Sequence, residues 1–345
     1  MRRLPVYLLI DTSESMVGTA IESVRTGLSA MLSALRQNPY ALEMGALSII
    51  TFGGKAQKLT PLTEVYAFQL PALDVKPGTM LGCAISILDQ AITTEIVKTT
   101  PEQKGDYKPL VFILTDGQPT DEWHSAFEQF KRNHKSVIVY AVGCGDDVDF
   151  AILKELTENT YSMEQMDADA FAKLFVCISS SIQSASGAIG EQKKQGSAIN
   201  LEKSSDGAIK KVETAEKSKL RKKRQIFISG ICQETKQQYL LRYKLDDSTG
   251  RYRCVAGHKL DKPFSKEEVG SIETVSNTEL EGLVPCPYCE NKEHGGCSCG
   301  AIVCLDTTKA VKVGGSTEIT MRCPVCNQTV QLAYHDSFEI KQSAG

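Results

Sequence analysis

No stretch of the 345 residues stays apolar for the roughly 20 positions that a membrane-spanning helix needs. Charge of one sign is equally scarce. The formal net charge of −3 gives no global pull toward nucleic acid or an anionic membrane surface. No secretory leader is expected either. Met1-Arg2-Arg3 precedes an apolar run, but Pro5 interrupts the run, Asp11 ends it, and no small-residue cleavage site follows. These absences predict a soluble, cytoplasmic protein. Catalytic groupings are also lacking. His124 and His134 fall in or beside one helix, at spacing that puts neither at the Asp11 loop, and no open catalytic metal with an acid–base partner is evident. The expectation is a binding protein and not an enzyme.

What is present begins with an apolar run, Val6 to Ile10, that stops abruptly at Asp11, Ser13 and Ser15 in D-x-S-x-S spacing. A run without polar alternation reads as a strand buried on both faces, in a parallel sheet covered by helices. One carboxylate and two hydroxyls on the loop that follows suit a hard divalent cation such as Mg²⁺ or Mn²⁺. Ligand sites in open α/β sheets lie outside the carboxyl ends of the strands, so this loop is the first place to look for function.

Strand and helix then alternate. Ile21, Val24, Leu28, Met31 and Leu35 form one helical face, with Thr19 and Glu22 as a capping box and Asn38-Pro39 as the stop. Leu47 to Phe52 is a second buried strand, and Ala56 to Leu62 a short edge strand. Thr79 lies in a turn that enters a helix carrying Leu81, Ile85, Leu88 and Ile92. Leu110 to Leu114 is another strand, running into the acidic loop Thr115-Asp116-Gly117-Gln118-Pro119-Thr120-Asp121, with Asp121 as N-cap of the helix that follows. The pattern predicts a doubly wound, Rossmann-like α/β domain over residues 1–184. Between 187 and 225, eleven Lys or Arg stand against five Asp or Glu and hydrophobic periodicity fades. Residues 185–225 are therefore expected to be a basic flexible linker. The stretch from Lys210 to Arg224 leaves nucleic-acid binding as the alternative function. Short strands and metal-ligand residues fill 226–345, a small β-rich, zinc-ribbon-like domain.

Twelve cysteines would suggest disulfides in a small secreted chain, but seven crowd between Cys286 and Cys326 in C-x-x-C and C-x-C spacings. In a cytosolic chain such spacing means metal. Cys83, Cys144 and Cys177 read as buried structural thiols. Structural zinc takes four ligands, and the supply suits two ions. Cys254, His258, Cys286 and Cys289 would hold one. Cys323 and Cys326, with two of Cys297, Cys299 and Cys304, would hold the other. His294 and His335 are possible substitutes.

Asp11, Ser13, Ser15, Thr79 and Asp116 together resemble the metal-ion-dependent adhesion site of the von Willebrand factor A family, over roughly residues 4–182. That resemblance implies that the serines and the threonine ligate Mg²⁺ directly, and the aspartates directly or through water. One coordination position would stay open for a partner's carboxylate. The opening Arg3-Leu4-Pro5-Val6-Tyr7-Leu8-Leu9-Ile10-Asp11-Thr12-Ser13-Glu14-Ser15-Met16, the run Asp116-Gly117-Gln118-Pro119-Thr120-Asp121 and the C-terminal cysteine pairs resemble the TerY family of bacterial tellurium-resistance proteins. What this implies is an adaptor in tellurite and stress resistance, working with a Ser/Thr kinase and a PP2C-type phosphatase.

Overall fold

In the computed structural model, residues 2–145, 148–190, 201, 207–214, 223–264, 273–297, 299, 301–306, 311–313, 316–332 and 339–342 are described. The chain divides into two compact units, Met1–Arg221 and Lys222–Gly345.

The first unit is built on a seven-stranded sheet: β1 (Leu4–Asp11), β2 (Gly45–Phe52), β3 (Ala56–Glu64), β4 (Leu110–Thr115), β5 (Ile138–Cys144), β6 (Thr160–Met163) and β7 (Lys210–Lys211). Their order is β3-β2-β1-β4-β5-β6-β7. β2, β1, β4, β5 and β6 are mutually parallel, and an antiparallel strand closes each edge. Every residue of β1 is buried. The alternation of side chains explains why both faces must be apolar. Leu4, Val6, Leu8 and Ile10 enter one core with α1 (Thr19–Gln37) and α6 (Ala168–Gly190). Tyr7 and Leu9 enter the other, with α3 (Leu81–Glu95), α4 (His124–Asn133) and α5 (Phe150–Leu156). The short α2 (Pro39–Met44) starts on an Asn38 cap with Pro39 at its first position.

From β1 the chain moves outward to β2 and β3, then crosses back through α3 to place β4 on the other flank of β1. The strand order therefore reverses between β1 and β4. That is the crevice where open α/β sheets bind ligands, and Asp11 and Thr115 end the two strands that border it.

Part of the segment expected as linker contributes to this unit. Leu201 and Ile209 are fully buried in the α1–α6 core, and β7 pairs with β6 through Tyr161–Lys211 and Ser162–Lys210. The remainder, 191–200, 202–206 and 215–222, lies outside the described residues, as does most of the basic run up to Arg224. No helix among the described residues is long and apolar enough to cross a membrane.

The second unit carries a six-stranded sheet ordered β12-β10-β9-β8-β14-β13. Its strands are β8 (Gln225–Ile231), β9 (Gln238–Asp246), β10 (Arg251–Lys259), β12 (Leu280–Glu281), β13 (Glu293–Gly296) and β14 (Ile302–Leu305); β11 (Thr274–Ser276) lies in a separate pair. β8, β9 and β10 are an antiparallel meander, whereas β14 joins β8 in parallel, with Ile302 opposite Gly230 and Val303 opposite Ile231. The core is small: Ile226, Ile228, Tyr239, Leu241, Tyr243, Tyr252 and Ile302 share it with Cys232, Cys286 and Cys304. Gly230 is needed where Tyr239 crosses it, since a Cβ there would lie 2.4 Å from the ring's Cζ.

Candidate metal centres

At the carboxyl end of β1 the chain turns through Thr12 to Ser15. Asp11 Oδ1 accepts the Ser13 N–H at 2.9 Å and Oδ2 accepts the Thr115 hydroxyl at 2.5 Å. The Ser13 and Ser15 hydroxyls are 2.8 Å apart, and the Ser15 hydroxyl donates to Asp116 Oδ1 at 2.6 Å. A continuous chain of close oxygens thus joins the β1 loop to the β4 loop.

Thr79 arrives on a third loop, sewn to the others by backbone. Lys76 N–H donates to Thr12 O at 2.8 Å and Met80 N–H to Gly53 O at 3.2 Å. Gly54 permits this approach, because a Cβ there would sit 2.4 Å from Pro77 O. Thr120 closes the arrangement: its hydroxyl accepts the Thr79 N–H at 3.0 Å and its own N–H donates to Thr79 O at 2.9 Å. Asp121 does not cap α4. Its carboxylate accepts the Gly82 and Cys83 N–H groups at 3.0 and 2.9 Å, capping α3 instead. Glu122 takes the N–H of His124 at the start of α4. The loop bearing Asp116 is thereby fastened to the helix that follows Thr79. Likewise the α1 capping box does not form, since the helix starts from Gly18 without a side-chain cap.

All five expected residues meet in this crevice. Two that sequence reasoning passed over complete it. Thr115 holds Asp11, and Glu14, fully buried, accepts the Gly78 N–H at 2.6 Å. Three carboxylates, Asp11, Glu14 and Asp116, are each at most 1% exposed. Buried carboxylates are costly unless a cation or hydrogen bonds compensate. The Asp11 carboxyl shows the cost: burial pushes it up to about 6, against the opposing pull of the Ser13 and Thr115 hydrogen bonds. An all-oxygen donor set with this appetite for positive charge fits a hard divalent ion. His124 and His134 lie elsewhere, the first exposed between Glu122 and Glu155, the second bound to Asp89 at 2.9 Å. Cys144 and Cys177 are buried as expected of structural thiols, but Cys83 is exposed.

In the second unit the sulfurs of Cys232, Cys286, Cys289 and Cys304 lie within 4.8 Å of one another, and so do those of Cys297, Cys299, Cys323 and Cys326. Three turns of one design supply five of these eight cysteines: Cys232, Cys286, Cys289, Cys323 and Cys326. Cys232, Cys286 and Cys323 each donate N–H to the carbonyl five residues on (Gln237, Asn291, Gln328) at 2.8–2.9 Å. Each also accepts at 2.9 Å from the residue four on. Those acceptor-facing residues, Lys236, Glu290 and Asn327, have φ of 61°, 63° and 59°. The loop curls so that N–H groups face the sulfur: Thr235 N–H lies 3.4 Å from Cys232 Sγ and Val325 N–H 3.4 Å from Cys323 Sγ. In the first turn Thr235 stands where the others have their second cysteine.

The division therefore differs from the one expected. Cys254 and His258 belong to neither quartet; Cys232 and Cys304 take their places. Sheet order is the reason. Cys254 and His258 sit on β10, separated from β8 by β9, with Cys254 opposite Tyr243. Cys232 follows β8 directly, and the parallel register of β8 with β14 brings Cys304 level with it. The Gln233 N–H then donates to Cys304 Sγ at 3.2 Å. Cys297 and Cys299 both go to the second quartet. His294 stands opposite Cys304 with its ring edge-on to Tyr239 and in neither quartet, and His335 lies outside the described residues. The C-x-x-Thr turn at Cys232, which resembles the two C-x-x-C turns, was the signal that could have found it. Four thiolates per cluster, with no fifth group among the described residues, fit tetrahedral structural zinc, and two clusters fit two ions.

The first unit is a doubly wound domain with an oxygen-lined metal crevice, and the second a small sheet held by four-thiolate centres. Residues 6–175 match the von Willebrand factor type A domain and residues 222–345 the TerY-C metal binding domain. The chain is thus a TerY-like protein that joins a von Willebrand factor A domain to a TerY-C module. Among curated proteins it is similar to the human inter-alpha-trypsin inhibitor heavy chain H6, 24% identical over 165 residues, covering 44% of this chain and 12% of that one. The chain therefore spans about an eighth of that relative's length. Among solved structures it is similar to a von Willebrand factor type A protein from Catenulispora acidiphila (14% identity, TM-score 0.41, covering 53% of this chain and 43% of that one). It is also similar to proximal thread matrix protein 1 of the mussel byssus with a zinc-occupied adhesion-site motif (15% identity, TM-score 0.38, covering 54% and 46%).

Proposed function

We propose that the chain is a non-catalytic adaptor whose first unit holds Mg²⁺ or Mn²⁺ and through it captures an acidic group of a protein partner. The convergence of Asp11, Ser13, Ser15, Thr79 and Asp116 at the β1–β4 crevice carries this reading. Ser13, Ser15 and Thr79 would ligate as neutral oxygens, so the ion would keep much of its charge for an incoming carboxylate. Asp11 and Asp116 would anchor it directly or through water. The second unit, folded around two zinc ions, would be a separate binding module. The TerY resemblance suggests tellurite and stress resistance in the cytoplasm as the setting, with a Ser/Thr kinase and a PP2C-type phosphatase as partners. Partner capture from nuclease-treated lysate by wild type, Asp11→Ala and Thr79→Ala tests the reading. Both substitutions should abolish or sharply weaken the same capture that omission of Mg²⁺ and Mn²⁺ weakens, while zinc content stays unchanged. Equal capture by all three proteins would reduce the crevice to a structural role.

A further inference from the structure

The two thiolate quartets share one kind of turn but sit in different surroundings. In the first, Cys232, Cys286 and Cys304 are at most 1% exposed and share the apolar core with Ile226, Tyr239 and Tyr243, while Cys289 is half-buried, packs against that core and lies 3.5 Å from buried Cys304; none of the four is exposed. In the second, Cys297 and Cys323 are buried, Cys326 is half-buried and Cys299 is exposed. None of those four belongs to an apolar cluster among the described residues. Two sulfur pairs of the second quartet, Cys299–Cys323 and Cys297–Cys326, are each 3.7 Å apart. Both pairs link the Cys297–Cys299 segment between β13 and β14 to the Cys323 turn.

Reactivity of a thiolate toward oxidants follows its exposure, while a buried thiolate is shielded. We infer that the second quartet is an oxidant-reactive site, at which exposed Cys299 attacks a hydroperoxide and a Cys299–Cys323 disulfide forms while the first quartet stays intact. This rests on reading both quartets as zinc centres. The chemistry is a two-electron oxidation. Cys299 sulfur attacks a peroxide oxygen, the O–O bond breaks, and the departing hydroxide takes a proton to become water. The resulting sulfenic acid is attacked by Cys323 sulfur, the S–O bond breaks, and a second hydroxide is protonated. Two thiolates, one hydrogen peroxide and two protons yield one disulfide and two waters. Cys297 and Cys326 are then two ligands where zinc requires four, and they release it. The disulfide keeps the same two segments joined that the ion had joined. Oxidation therefore changes the outer part of the unit and leaves its core folded.

Full-length protein, purified without oxygen, should first be shown to hold about two zinc ions, as two four-ligand sites require. Hydrogen peroxide is then added, released zinc is read with a chromogenic chelator, and disulfides are mapped by mass spectrometry. The expected result is loss of one of the two ions and a Cys299–Cys323 linked peptide. Cys232, Cys286, Cys289 and Cys304 should remain unlinked, and thiol reductant with zinc should restore the starting state. Simultaneous loss of both ions, no loss, or a disulfide lacking Cys299 would overturn the inference. The Cys299→Ser variant supplies a second readout: it should hold one ion that peroxide does not release, and release of that ion would equally overturn it. Fewer than two ions before peroxide would instead sink the zinc reading, and the inference with it.

Discussion

Replacing Cys232 by serine and, separately, Cys254 by alanine sets the tertiary assignment directly against the one the spacing suggests. Cys232 supplies one of four sulfurs to the first quartet, and it is fully buried. Structural zinc contributes roughly 10–16 kcal/mol of apparent binding free energy at neutral pH in small zinc-folded peptides. Dividing that evenly among four thiolates puts one ligand at roughly 3 kcal/mol, or a hundredfold or more in zinc affinity. Cys254 lies in β10 opposite Tyr243, half-buried and outside both quartets. Losing its thiol should cost about 1 kcal/mol, the ordinary scale for a single hydrogen-bonded group. The assay is elemental analysis of each full-length protein after dialysis against a chelator that leaves both wild-type ions in place. Cys232→Ser should fall to about one ion and Cys254→Ala keep about two, in line with the four-ligand count. The reasoning fails if Cys254→Ala loses an ion while Cys232→Ser retains both. His258→Ala should behave as Cys254→Ala does.

The metal-free first unit should depend on pH through Asp11. Its folded carboxyl sits at about 6, above the ordinary 3.8. That contribution to stability is complete below about pH 4 and lost as pH rises through 6, on the order of 3 kcal/mol in all at 1.36 kcal/mol per pH unit. Trp123 is the only tryptophan and is buried in the first unit, so its fluorescence reports this unit alone. Urea midpoints of chelated wild type relative to chelated Asp11→Asn should drop between pH 5 and 7.5, and a pH-independent difference would contradict the account. Conversely, Mg²⁺ or Mn²⁺ should bind more weakly below pH 6. Gly230→Ala would drive a Cβ to 2.4 Å from the Tyr239 ring, whose side chain is fully buried. Overpacking of this kind costs about 1–3 kcal/mol, so the second unit should melt at a visibly lower temperature while Trp123 reports no change.

Local spacing settled much of this protein before any fold was known. A strand buried on both faces needs an uninterrupted apolar run, and Val6 to Ile10 is one, so the parallel sheet and the loop at its carboxyl end were readable. Asp11, Ser13 and Ser15 are also neighbours in sequence, and a C-x-x-C turn brings its own two sulfurs together, so both kinds of metal chemistry showed themselves in the chain. Contacts between distant segments were another matter. Thr115 reaches Asp11 because β1 and β4 are adjacent strands, and Asp121, by capping α3, fastens the Asp116 loop to the helix that follows Thr79. Cys232 has no second cysteine in its turn, and its C-x-x-Thr pattern does not say which quartet it joins. Only the parallel pairing of β8 with β14 puts it beside Cys304, and only the intervening strand β9 keeps Cys254 and His258 away. Short-range geometry is written in residue spacing, while the partition of ligands between two sites depends on which strands lie side by side.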